Sequence, residues 1–135
     1  MDILKSKIKL IADYLPQLQE TIPDLFDEFQ NNMLFRSASE RYFQLIVDAI
    51  IDCNQILIEM NNLEVSDTYF NTFSNLIGKS IFPDDLLENL SHCVGTRNAI
   101  IHKYENIQLK REYEDMKKNL PLFTQYLKII SDKYL

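Results

Sequence analysis

Residues 97–104 read Arg97-Asn98-Ala99-Ile100-Ile101-His102-Lys103-Tyr104, and this short segment combines a permanent cation, a proton carrier that works near neutral pH, and a phenol. A guanidinium holds a phosphate through charge-assisted hydrogen bonds, and an imidazole beside it moves a proton. RNA carries its own nucleophile in the ribose 2′-hydroxyl, so these two groups are the minimum for cleaving it without a metal. Arg97 and His102 are therefore the candidate catalytic pair, with Asn98 and Lys103 as supporting or substrate-binding groups.

The segment ends a helix that opens at Pro83-Asp84-Asp85, where proline and acid suit a first turn. At helical spacing Leu86, Leu90, Cys93, Arg97, Ile101 and Tyr104 share one stripe. Arg97 thus projects from a side that otherwise reads as buried, where an unpaired guanidinium is costly, so it must meet a carboxylate, a subunit or a ligand phosphate. The adjoining stripe of Leu87, Val94, Asn98 and His102 turns polar at the same end. His92 falls on the outward stripe with Asp85, Asn89, Thr96 and Lys103 and reads as solvated. Asn98, one turn before His102, is placed to orient its ring or share a ligand, and Gly95 offers room for a backbone or phosphate.

Five residues on an ideal helix rotate by about 140°, so Arg97 and His102 of one intact helix do not point at the same spot. Either the helix ends or bulges before His102, or two copies combine their side chains across an interface. Each residue alone also has a plain reading: a salt-bridged arginine, a satisfied histidine at a helix end, a core phenol with one hydrogen bond. Their joint occurrence at this spacing on this face favours a site.

The remaining elements are helical. Ile3, Ile8, Ile11, Leu15 and Leu18 mark a first amphipathic helix over about residues 2–20, with Pro16 as a candidate kink. Pro23 and Asp24 restart a short helix, and a long one runs from Arg36 to Met60 with a wide apolar face and no internal glycine or proline. Ser66-Asp67 predicts the N-cap of a helix carrying Tyr69, Phe70, Phe73, Leu76 and Ile77, which Gly78 ends. A last helix covers about residues 107–134, with Pro121 as a bend. The expected architecture is an all-α, antiparallel bundle of about five helices.

With 135 residues, 46% hydrophobic and 25% charged, the chain can close one real core, and two glycines and four prolines leave no linker, so residues 1–135 are expected to form a single domain. The first residues alternate charge with apolar side chains, unlike a signal peptide, and no apolar run approaches a membrane span. Cys53 and Cys93 lack metal-ligand or CxxC spacing and read as packed thiols of a cytoplasmic protein. Asp48 and Asp52 form an i, i+4 carboxylate pair without a third ligand, so a solvated or ion-paired face is expected, with no metal and no cofactor. A net charge of −6 argues against sequence-independent phosphate tracking but allows a local basic patch from Lys79, Arg97, Lys103, Lys110 and Arg111.

Arg97, a polar residue, three more, then His102, one residue and Tyr104 resemble the signature of the HEPN superfamily, and the Glu40-Arg41 to Asp52 stretch, the length and the helix layout are similar to HepT toxins. The resemblance implies a five-helix HEPN fold that is a homodimer with the two signature segments facing each other in a cleft. It implies a metal-independent RNase acting on RNA, tRNA in some relatives. It also implies a cognate MntA-type nucleotidyltransferase antitoxin that adds AMP units to the signature tyrosine, here Tyr104. A reading of another class remains beside it: a non-catalytic helical subunit that binds a nucleotide or a nucleotidyltransferase and uses Arg97 and His102 only as phosphate contacts.

Overall fold

In the computed structural model, which describes residues 2–102 and 108–135, helix α1 (Asp2–Thr21) buries Leu4, Ile8, Ile11, Leu15 and Leu18. Alternating steps of four and three keep apolar side chains on one face of a 3.6-residue helix. That face packs most extensively against α3 (Met33–Met60). The pair is antiparallel, because Lys7 meets Asp52 at 3.0 Å while Tyr14 meets Tyr42 with ring centroids 5.8 Å apart. α3 begins three residues before Arg36, since the Asn32 side chain accepts from the Phe35 N–H at 3.1 Å and caps the first turn.

α7 (Leu109–Tyr134) packs on the other flank of α1. The Tyr113 hydroxyl donates to the Pro23 carbonyl, just beyond the C-terminal end of α1, so these two helices are also antiparallel. α6 (Cys93–Ile101) touches both α3 and α7 and completes a ring of four walls in the order α1, α3, α6, α7. The diagonal pair, α3 and α7, meets across the centre through large side chains: Phe43 and Phe123 lie 5.4 Å apart by ring centroid, and the Tyr126 hydroxyl donates to Asn54 Oδ1 at 2.7 Å. Asn54 in turn donates to Thr72 Oγ1 at 3.3 Å, so a buried polar relay ties α7 through α3 to α4 (Tyr69–Ser74). Buried polar groups are tolerable only when paired in this way.

Seven helical segments lie among the described residues where about five were expected, and local anchors account for the differences. Pro23 serves as an acceptor for Tyr113, so α2 (Phe26–Asn31) starts three residues later. α4 is capped by Thr68, whose hydroxyl accepts from the Asn71 N–H at 3.1 Å, and not by Ser66-Asp67. It ends at Ser74 because Asn75 turns back to bond Glu64 O at 3.0 Å and Ser66 Oγ at 2.9 Å. Gly78, at φ +77°, then closes the following turns and donates to Asp84 Oδ1 at 2.8 Å. α5 (Asp84–Ser91) follows directly, with Asp84 and Asp85 in its first turn as expected. No helix among the described residues is long and apolar enough to cross a membrane.

Cys53 and Cys93 are free and buried, matching the reading of packed thiols. Burial pushes the Cys53 thiol from its ordinary 9.0 up to about 12, and burial raises Cys93 and Tyr126 in the same direction. An acid that ionises more easily in the unfolded chain favours unfolding as pH rises. Stability from these groups is therefore complete below about pH 9 and is lost as pH climbs toward 12. The urea midpoint is expected to fall between pH 8 and pH 10, and neither thiol should react with a maleimide at pH 7 until the chain unfolds. Rapid labelling of the folded protein would contradict the burial argument.

Candidate active site

The helix expected to run from Pro83 into the Arg97 segment is divided into α5 and α6 at the single residue His92, which keeps right-handed helical angles (φ −69°, ψ −18°), so this interruption is a local turn and not a loop. α5 buries Leu86, Leu87, Leu90 and Ser91, whereas α6 buries Cys93, Val94, Thr96 and Ile100. On a straight helix those two faces would differ by roughly a quarter turn. The interruption lets each segment bury its own face, against α4 and α7 for α5 and against α3 and α7 for α6. Thr96, expected on the outward stripe, is consequently buried, while His92, Asn89 and Asp85 are exposed as expected.

Arg97 lies on the inward side of α6, and its side chain is 17% exposed. Its Nε donates to Asp48 Oδ1 on α3 at 2.8 Å, its Nη1 donates to Asn98 Oδ1 at 3.0 Å, and its guanidinium carbon stands 5.3 Å from the centre of the Tyr69 ring on α4. The requirement that this arginine meet a carboxylate is thus satisfied, and the Asp48–Asp52 face is ion-paired as expected, Asp52 going to Lys7. Two of the five guanidinium N–H groups are used in these bonds, and among the described residues the other three have no protein acceptor. A phosphate is the natural bidentate acceptor for what is left.

α6 ends at Ile101, and His102 is its C-cap residue at φ −97°, ψ 46°, with its N–H donating to Asn98 O at 3.0 Å. The helix thus ends before His102, which is the condition of the first geometric alternative and leaves the second, two copies sharing the site, standing beside it. His102 is exposed and, with Asn98, lines a cleft between α6 and α7 that Arg97 does not line. Within one chain the structure does not bring Arg97 and His102 into one pocket. Asn98 joins them in part, its side chain on Arg97 and its backbone carbonyl on His102. Lys103 and Tyr104 lie outside the described residues. Of the expected basic patch, Arg111 lines the cleft with His102, whereas Arg97 faces α3 and α4. Gly95 also lines the cleft, and a Cβ added there would meet nothing within 4 Å, so open space rather than close backbone approach surrounds it.

Two contributors carry no signal of this role in the sequence. Tyr69 reads as part of the apolar set of its helix, yet it is 47% exposed and supports Arg97. Asp48 reads only as half of a carboxylate pair, yet it accepts from Arg97 Nε. Among the described residues no group of three or more His, Cys, Asp or Glu side chains is arranged to hold a metal ion.

The chain is 25% identical over 129 residues to a tRNA nuclease HepT of Aphanizomenon flos-aquae, covering 96% of this chain and 88% of that protein. It is 22% identical over 129 residues to an mRNA nuclease HepT of Shewanella oneidensis, covering 96% of each. Its fold matches that of a tri-AMPylated Shewanella oneidensis HEPN toxin, solved in complex with an MNT antitoxin, at a TM-score of 0.87 and 22% identity over 98% of both chains. A family model described as Ribonuclease HepT-like matches residues 11–130. This chain therefore belongs to the ribonuclease HepT-like family.

Proposed function

We propose that the protein is a cytoplasmic, metal-independent endoribonuclease toxin that works as a homodimer. The observation that carries this reading is an arginine held from three sides, with N–H groups to spare among the described residues, five residues before an exposed histidine at a helix end. The relatives' names support RNA as the substrate class, and they differ between tRNA and mRNA. tRNA is the first substrate to test.

In the proposed reaction the ribose 2′-oxygen attacks the adjacent phosphorus, its proton passes to one His102, and the P–O5′ bond breaks as the leaving 5′-oxygen takes a proton from His102 of the partner subunit. Fragments ending in a 2′,3′-cyclic phosphate result. Arg97 steadies the charge that gathers on the phosphoryl oxygens. Asn98 is assigned to holding Arg97, with Lys103 as a further phosphate contact. A nucleotidyltransferase antitoxin silences the toxin when the Tyr104 phenol loses its proton, bonds the α-phosphorus of ATP and releases pyrophosphate. The appended AMP brings bulk and negative charge to the place of the substrate phosphate. The tri-AMPylated state and the antitoxin complex of the structural relative support this part.

Total RNA incubated with purified protein in excess EDTA, followed by analysis of the product ends, tests the reading. Cyclic-phosphate ends from wild type but not from Arg97→Ala or His102→Ala are expected. The separation of Arg97 and His102 within one chain leaves a non-catalytic adaptor as the competing reading. It requires a harmless protein that still binds its nucleotidyltransferase after His102→Ala.

Tyr69 has a graded expectation. A cation over an exposed aromatic face is worth about 0.5–1 kcal/mol, so Tyr69→Leu should lower kcat/KM roughly two- to fivefold, and Tyr69→Phe, which keeps the ring, should not. Equal losses in both variants would assign the effect to the hydroxyl instead.

A further inference from the structure

The cleft between α6 and α7 has a volume of about 850 Å³, within the range of small-molecule sites. Its deepest polar groups are Thr96, Glu112 and Asn119, with relative exposures of 7%, 4% and 5%. Glu112 and Asn119 stand on the buried stripe of α7 that also carries Met116, Phe123 and Tyr126, positions where apolar side chains would suffice for packing. The Asn119 amide is oriented by donation from Nδ2 to the Asp115 carbonyl at 2.7 Å, which turns Oδ1 into a fixed acceptor. That oxygen is buried and has no hydrogen-bond partner among the described residues. Buried acceptors in native proteins are almost always satisfied, so this one invites a donor from the cleft that Asn119 lines; its oxygen has almost no free surface, and the amide must turn toward the cleft to receive it.

The rim says what else the occupant carries. Arg111 and Lys118 line the α7 side, and among the described residues Arg111 is held only by a 4.0 Å contact to Asp115, with its side chain 80% exposed. Such a surface pair is cheap to give up for a phosphate. On the opposite side stands His102. A donor group, a phosphate and proximity to the proposed proton carrier together describe a nucleotide.

We propose that this cleft is the base-recognition subsite for the RNA nucleotide beside the cleaved bond, with Asn119 Oδ1 accepting from the base and Arg111 and Lys118 on its phosphate. A lone acceptor matches the exocyclic amino group of adenine, cytosine or guanine. Uracil presents its one ring N–H between two carbonyl oxygens, which face the acceptor unfavourably. The subsite therefore selects amino-bearing bases over uracil. This inference rests on the ribonuclease reading for its place in the reaction, but the binding it requires does not depend on cleavage.

The test is titration of the isotope-labelled protein with AMP, CMP, GMP and UMP, following the Asn119 side-chain amide by NMR. AMP, CMP and GMP should shift it saturably, and UMP should bind roughly fivefold more weakly, the discrimination of one hydrogen bond. Asn119→Leu, similar in size and followed through the backbone amides of Gly95 and Thr96 that line the same cleft, should bring the four affinities together. Lys118→Ala, at an exposed position that leaves the fold intact, should weaken all four by a similar factor, and it keeps the test open should Asn119→Leu misfold. Failure of all four nucleotides to shift Asn119, or UMP binding as well as AMP, overturns the subsite. Selective nucleotide binding without RNA cleavage in EDTA would sink the ribonuclease reading and leave the base site standing. Cleavage without any response at Asn119 would do the reverse.

Discussion

His102→Ala is expected to lower the rate of RNA cleavage by about 10²–10⁴-fold, the usual worth of a positioned proton carrier, while leaving the fold unchanged. The structural half of this expectation follows from position. His102 is the exposed C-cap of α6, its φ of −97° suits any residue, and the bond from its N–H to Asn98 O belongs to the backbone and survives the substitution. Replacement at an exposed helix end disturbs the core little. The catalytic half follows from chemistry. Without a proton acceptor the 2′-hydroxyl is a poor nucleophile at neutral pH, and without a donor the 5′-oxygen is a poor leaving group. Single-turnover cleavage of a labelled RNA in EDTA, with circular dichroism as the check on folding, measures both halves. A loss of only a few-fold in a folded variant would mean that His102 does not carry the proton, and the adaptor reading would gain.

Much of the scaffold could be read from periodicity because single faces repeat without interruption. Ile8 to Leu18 on α1 and the wide apolar face of α3 are examples, and both helices end within three residues of expectation, although Leu4 and not the expected Ile3, which is exposed, opens the buried stripe of α1. The interruption at His92 could not be read, since neither glycine nor proline stands there and the cause is tertiary: α3 and α7 draw Thr96 and Ile100 inward. The same holds for α4, whose cap and end depend on Thr68 and Asn75 reaching loop atoms. At the site, sequence reasoning could say what kind of group Arg97 must meet but not which one, because Asp48 lies 49 residues away and is delivered by helix packing. Tyr69 looked apolar because aromatic residues on a helix usually pack, yet α4 is short and peripheral and leaves both Tyr69 and Phe70 about half exposed. Glu112 and Asn119 did carry a signal, as polar residues on the buried stripe of α7, the same kind of displacement that singled out Arg97.

Asp48→Ala should reduce cleavage by roughly 10- to 100-fold, less than the loss of about 10²–10³-fold expected from removing a transition-state donor outright. Arg97 would remain, but its Nε would lose the 2.8 Å bond that sets the plane of the guanidinium, leaving Asn98 and the Tyr69 ring as its restraints. Because positioning is what suffers, the loss belongs in kcat, and KM should hold or fall slightly, since the freed guanidinium is less neutralised and attracts phosphate more strongly. The cost in stability is modest, about 1 kcal/mol, because the Asp48 side chain is 36% exposed and water can solvate the arginine in its place. Asp48→Asn keeps an oxygen acceptor for Nε and should retain more activity than alanine. Asp52→Ala, one turn along the same helix, removes the partner of Lys7 in a surface pair of 3.0 Å and serves as the matched control. It should cost stability within about 0.5 kcal/mol and leave cleavage unchanged. If the two alanine variants lose activity alike, the effect is loss of helix packing or charge in general. If Asp48→Ala alone loses kcat, the carboxylate on α3 is what aims Arg97.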